Sequence, residues 1–220
     1  MENRIIDNRL NVLRDKLLLL GGATETAVHN SMQSLIDRDS DLAQEVIDGD
    51  KVIDRMELEI DRLSIEILAL QQPTAYDLRF VIAVAKITPI LERIADHAAN
   101  IAKTVKILNS EPQIKNYVDL PLMAQTAGKM LNTALDAFTS ENSEVSCQII
   151  KQDKEIDNCY NRVFKELIEL MIKNPEVTSR AAHLLFVAKH LERIGDCVKD
   201  ICELNVYLTE AVFIKHSKKK

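Results

Sequence analysis

Four pairs of carboxylates stand four residues apart in this chain: Asp50 and Asp54, Glu92 and Asp96, Asp153 and Asp157, Glu192 and Asp196. On an α-helix that spacing puts both members of a pair on one face, with Cβ atoms roughly 5–6 Å apart. Like charges held so close weaken their helix unless something positive joins them. A hard cation does this well, and an oxygen-only donor set suits Mg²⁺, Ca²⁺ or Mn²⁺, with iron a further option. Asn100 and Asp200 extend two of the rows by one more turn. The competing reading is a solvated, charged helix face, which explains any single pair adequately. What speaks for metal or anion chemistry is that the pairs occur at duplicated positions. His97 follows Asp96, but Cys197 stands at its counterpart, and His29, His183, His190 and His216 have no ligand spacing.

The duplication is visible in the elements that must position these acids. ILERIAD at 90–96 recurs as HLERIGD at 190–196. Apolar residues repeat with a 3.5-residue rhythm over long stretches, which predicts antiparallel helices packed along coiled-coil-like seams. Leu10, Leu13, Leu17, Leu20 and Ala27 mark a first helix over about residues 5–38, and Leu42 through Leu70 mark a second that ends before Pro73. Phe80 through Leu108 mark a third. A polar, Pro-containing segment at 109–121 interrupts the pattern, after which three further helices repeat it. The seam of the sixth helix (Leu184, Val187, Leu191, Ile194, Val198, Ile201, Leu208) lies 100 residues after that of the third at each position. Asp50-x-x-Ile53-Asp54 matches Asp153-x-x-Ile156-Asp157 at an offset of 103. The expected fold is therefore all-α: two tandem, duplicated three-helix bundles, at 1–110 and 117–212, followed by a basic tail at 213–220. Each acid of a pair follows a seam residue by one position, so the rows flank the apolar stripes. Pro89 interrupts the third helix, where it removes a hydrogen bond and predicts a kink before Glu92.

Composition narrows the function. Only 5 Gly and 5 Pro among 220 residues agree with a nearly wholly helical protein. A net charge of −6 leaves no broad basic face, which argues against direct nucleic-acid binding. The start is charged throughout, and the run Leu17–Leu20 is too short to cross a bilayer, so the expected compartment is the cytoplasm. Cys147, Cys159, Cys197 and Cys202 form no CxxC pair and are expected to be reduced, buried thiols. Glu-x-x-His motifs, Gly-rich phosphate loops and nucleophile elbows are missing, so an enzyme is not the first choice. A metal-dependent phosphohydrolase built on clustered carboxylates, and a purely structural scaffold, are the alternatives.

FVAKHLERIGD, LERIADHAANIAK and QQPTAYDLR together resemble the PhoU family, regulators of phosphate uptake, over nearly the full chain. The resemblance implies two three-helix bundles, a homodimer, and negative regulation of phosphate uptake and phosphate-starvation signalling. It implies an adaptor acting on the phosphate ABC transporter ATPase and a phosphate-sensing histidine kinase, with membrane contact only through those partners. It also implies metal ions (iron, zinc, Mg²⁺ or Mn²⁺) on acid-xxx-Asp motifs. These map to Asp50/Asp54, Glu92/Asp96, Asp153/Asp157 and Glu192/Asp196, with Asn100 and Asp200 one turn further on. The second copy departs from the family pattern, reading GDCVKD where GDHATN is commoner, and this puts equal metal occupancy of the two halves in question.

Overall fold

The computed structural model describes residues 4–212 and 214, so the basic tail expected at 213–220 lies outside the described residues apart from Ile214. Six α-helices account for most of the described residues: α1 (Ile5–Ile36), α2 (Ser40–Gln71), α3 (Ala75–Asn109), α4 (Asp119–Thr139), α5 (Ser143–Lys173) and α6 (Thr178–Glu210). A single 3-10 turn, Pro175–Val177, precedes α6.

Local chemistry explains where the helices begin and end. Asp39 caps α2 by accepting from the backbone N–H groups of Asp41 and Leu42, both at 2.9 Å. Asn142 caps α5 through Val145 N–H at 3.1 Å. Gln72 leaves α2 in the left-handed conformation (φ 46°) directly before Pro73, which cannot continue a helix. α3 runs unbroken through Pro89. The connector expected at 109–121 is shorter in the structure: the non-helical stretch covers 110–118, because Pro121 falls in the first turn of α4, where a proline costs no hydrogen bond.

Helices α1–α3 and α4–α6 form the two expected three-helix units, and α1 packs on α4 while α3 packs on α6. The core is continuous across both units. Phe80 of α3 stacks on Phe138 of α4 with ring centroids 5.8 Å apart, and both are almost fully buried. Gly21 permits the close approach of α1 to α4, since a Cβ there would lie 2.3 Å from Leu135 Cδ1. The seam residues Leu91, Ile94, Leu191 and Ile194 are completely buried.

Two sequence expectations fail. Leu70 continues the heptad rhythm of α2 yet is 71 % exposed, because the periodicity persists into the last turn of the helix after its packing partners have run out. Cys147 is exposed, unlike the buried Cys159, Cys197 and Cys202, since it lies one position off the buried line through Ser146 and Ile149.

Because Phe138 fills space between the two units, Phe138→Ala should lower the unfolding free energy by about 3–5 kcal/mol. Urea denaturation followed by circular dichroism measures this, and the transition should remain single because both units share one core.

Candidate metal centre

The first row of acids lies between α2 and α3. Half-buried Asp50 follows half-buried Gly49 and exposed Asp54 follows buried Ile53 on α2, while half-buried Glu92 and Asp96 follow the buried Leu91 and Ala95 on α3. The packing of α2 against α3 brings these charges together across the helix pair. Burial pushes the Asp50 carboxyl above its ordinary range, with the charges of Asp54 and Asp96 adding to the effect. Burial also raises Glu92, followed by the fields of Glu57, Asp96, Asp54 and Asp50. Glu57 is raised by burial and then by Asp61 and Asp54, so it belongs to the same group. Sequence reasoning missed Glu57. It stands three residues after Asp54, but the residue 103 positions later is Tyr160, so a search for duplicated acids passes over it.

The five carboxylates are poorly compensated. Among the described residues, none of them forms an ion pair with lysine or arginine. Asn100 donates to Asp96 Oδ2 at 3.1 Å, and Lys103 donates to Asn100 Oδ1 at 3.2 Å instead of to a carboxylate. Asp50 Oδ1 is buried without a hydrogen-bond partner. An orphaned, buried acceptor beside four other carboxylates fits a hard cation in donor type and in charge. As the side chains stand, no three His, Cys, Asp or Glu groups among the described residues converge on one ion position. Mutual repulsion favours such splayed rotamers, and a cation would have to draw the donors inward.

The second row, between α5 and α6, is chemically different. Lys199 Nζ donates to Asp153 Oδ2 at 2.8 Å and to Asp196 Oδ1 at 2.7 Å. Lys189 Nζ donates to Glu192 Oε2 at 2.7 Å and lies 5.4 Å from the Tyr160 ring centroid. Asp153 is only 5 % exposed, and burial raises its carboxyl although Lys199 pulls in the opposite direction. For Lys199, burial works against the charge, yet hydrogen bonds to Asp153 and Asp196 hold the ammonium firmly protonated. Gly195 lets α5 approach, since a Cβ there would lie 2.9 Å from Asp153 Oδ1. Asp157 is exposed and Asp200 is half-buried on the same helix pair. The residues of this row do not fit a metal as they stand, because the position between Asp153 and Asp196 is occupied by an ammonium.

His97 takes no part in the first row. It is 7 % exposed and turns inward to meet His190 of α6, with the two Nδ1 atoms 3.2 Å apart. One ring must donate and the other accept, so at least the accepting ring is neutral. Burial, followed by the charge of His190, pushes His97 down to about 4, and burial also lowers His190.

Comparison with known proteins agrees with this architecture. The PhoU domain model matches twice, over residues 17–105 and 120–204. The chain belongs to the PhoU family. It is 38 % identical over 201 residues to a phosphate-specific transport system accessory protein PhoU homolog of Zymomonas mobilis, covering 91 % of this chain and 85 % of that protein. A homolog of the same description from Clostridium acetobutylicum is 34 % identical, with 94 % and 95 % covered. The crystal structure of PhoU from Pseudomonas aeruginosa superposes with a TM-score of 0.90 at 35 % identity, covering 94 % of this chain and 99 % of that one. The phosphate transport system regulatory protein PhoU from Streptococcus pneumoniae gives 0.88 at 30 % identity, covering 94 % and 98 %.

Two outcomes follow from the electrostatics of this PhoU-family protein. In the first row the charged forms of Asp50, Glu57 and Glu92 are disfavoured by folding, so metal-free protein gains stability from these three groups as pH falls from 7 towards the ordinary carboxylate range. Glu92→Gln should therefore raise metal-free stability at pH 7 by about 0.5 kcal/mol, an increase in Tm of about 1–2 °C by calorimetry. The histidine pair has the opposite sign. The stability contributed by neutral His97 is complete above 6.5 and is lost as pH falls through about 4. Carbon-13 NMR of the imidazoles should show His97 still neutral at about pH 5.5, where an ordinary histidine is mostly protonated.

Proposed function

We propose that this protein is a negative regulator of phosphate uptake and of phosphate-starvation signalling, working as a cytoplasmic adaptor without turnover. The observation that carries the reading is full-length similarity to accessory proteins of phosphate-specific transport systems, which extends over both bundles and not over one motif alone. The partners that fit it are the ATPase of the phosphate ABC transporter and a phosphate-sensing histidine kinase, with a second copy of this chain completing a homodimer. Nucleic acid is not among them, and membrane contact passes through the transporter. No helix of the described residues is long and apolar enough to cross a membrane.

The cation belongs to the same proposal. Iron, zinc, Mn²⁺ or Mg²⁺ would be held by Asp50, Asp54, Glu92 and Asp96, with Glu57 and Asn100 at the edges of the row. Such an ion supplies positive charge to a cluster that has none of its own in direct contact. Asp50, Asp54, Glu57, Glu92 and Asp96 then serve to tie α2 to α3 on one exposed face, which is how ion binding would change the surface offered to a partner.

Deletion of the gene tests the regulatory role. In abundant phosphate the deletion strain should express its phosphate-starvation phosphatase many-fold above wild type, and a plasmid copy should restore repression. A copy carrying Asp54→Asn and Glu92→Gln should restore it poorly despite normal protein levels. Unchanged phosphatase and unchanged phosphate uptake in the deletion strain would contradict the proposal.

A further inference from the structure

The two carboxylate rows occupy duplicated positions but do not have the same chemistry. We infer that the row between α5 and α6 is closed by the chain's own ammonium groups and takes no metal, so that cation uptake is confined to the row between α2 and α3. The inference rests on the reading above that the first row takes a cation.

The argument begins with Lys199. Its ammonium lies 2.8 Å from Asp153 Oδ2 and 2.7 Å from Asp196 Oδ1, bridging α5 to α6. A bound Mg²⁺ or Mn²⁺ would need carboxylate oxygens at roughly 2.0–2.2 Å in that same space, so ion and ammonium exclude one another. Asp153 is 5 % exposed, and a buried carboxylate needs a paired countercharge to be tolerated. Lys199 is that countercharge. Lys189 pairs with Glu192 three residues along the same helix, and its ammonium lies over the Tyr160 ring of α5.

The first copy lacks all three features. Counting back by the offsets that align the halves, Lys199 corresponds to Ala99, Lys189 to Pro89, and Tyr160 to Glu57. At these three positions the second row gains two ammonium groups and loses a carboxylate; Asn100 to Asp200 and Lys103 to Glu203 run the other way, so the halves differ in which carboxylates an ammonium touches and not in total charge. Asp50, the counterpart of Asp153, keeps a buried oxygen with no hydrogen-bond partner. One copy thus leaves its buried carboxylate oxygen without a partner, which an external cation would relieve, while the other pairs its own with Lys199. A regulator built this way responds to a cation through one half, and the other half serves as a support whose buried carboxylate is already paired.

Mn²⁺ binding to the full chain, measured by equilibrium dialysis and elemental analysis together with Tm, tests this. Asp157→Asn with Glu192→Gln should retain wild-type Mn²⁺, and Asp54→Asn with Glu92→Gln should lose it. Lys199→Ala should lower the Tm of metal-free protein by about 3–6 °C. Mn²⁺ should restore that loss, with at least one further ion bound per chain. Lys199→Arg, which keeps the charge, serves as the folded control and should take up no extra Mn²⁺. A fall in Mn²⁺ bound on neutralising Asp157 and Glu192 would overturn the inference, as would a Lys199→Ala protein with unchanged Tm and unchanged Mn²⁺ uptake. If wild type takes no Mn²⁺ at all, the cation reading of the first row fails, while the Tm and Mn²⁺ response of Lys199→Ala still decides whether the lysine closes the second.

Discussion

Carboxylates fixed beside a packed helical seam must find countercharge, and much of this protein's character follows from how each half meets that demand. The seam itself is apolar and nearly water-free, with Leu91, Ile94, Leu191 and Ile194 wholly buried. Acids one position along from such residues line the flank of the seam: Asp153 is buried, Asp50, Glu92, Asp96 and Glu192 are half-buried, and Asp54, Asp157 and Asp196 reach solvent, so repulsion weighs most on the buried members. Between α5 and α6 the demand is met by Lys199 and Lys189. Between α2 and α3 it is met only weakly, through Asn100 and the more distant Lys103.

This frustration coexists with a well-satisfied core. The two bundles share one apolar interior, joined by α1 against α4 and α3 against α6. Phe80 and Phe138 pack between them, and the His97–His190 pair forms a polar link in the α3–α6 contact. A rigid shared core allows a charged face to remain unrelieved, because the stability lost at the rim is small beside that gained in the interior.

Much of this was legible in the residues. Heptad rhythm located all six helices, and the 100- and 103-residue offsets revealed the duplication, because seam residues obey a periodicity that single-chain reading detects well. The acid pairs were visible for the same reason. Glu57 was not, since comparing copies hides any residue present in only one of them. Lys199 could be seen three residues from Asp196, but its reach to Asp153 depends on the register of α5 against α6, which no local pattern encodes. The same limit hid the meeting of His97 with His190, 93 residues apart in sequence. Leu70 and Cys147 failed for a simpler reason: periodicity says which face a residue is on, not whether a neighbour covers it.

The central claim is that the duplicated rows have diverged into one that takes a cation and one that carries its own. A crystal structure of the full chain grown with Mn²⁺, with anomalous scattering collected near the manganese edge, tests it most directly. The account predicts an anomalous peak between α2 and α3, within reach of Asp50, Asp54, Glu92 and Asp96, and none between α5 and α6, with Lys199 still bridging Asp153 and Asp196. Equal peaks in both halves, with Lys199 displaced into solvent, would contradict it.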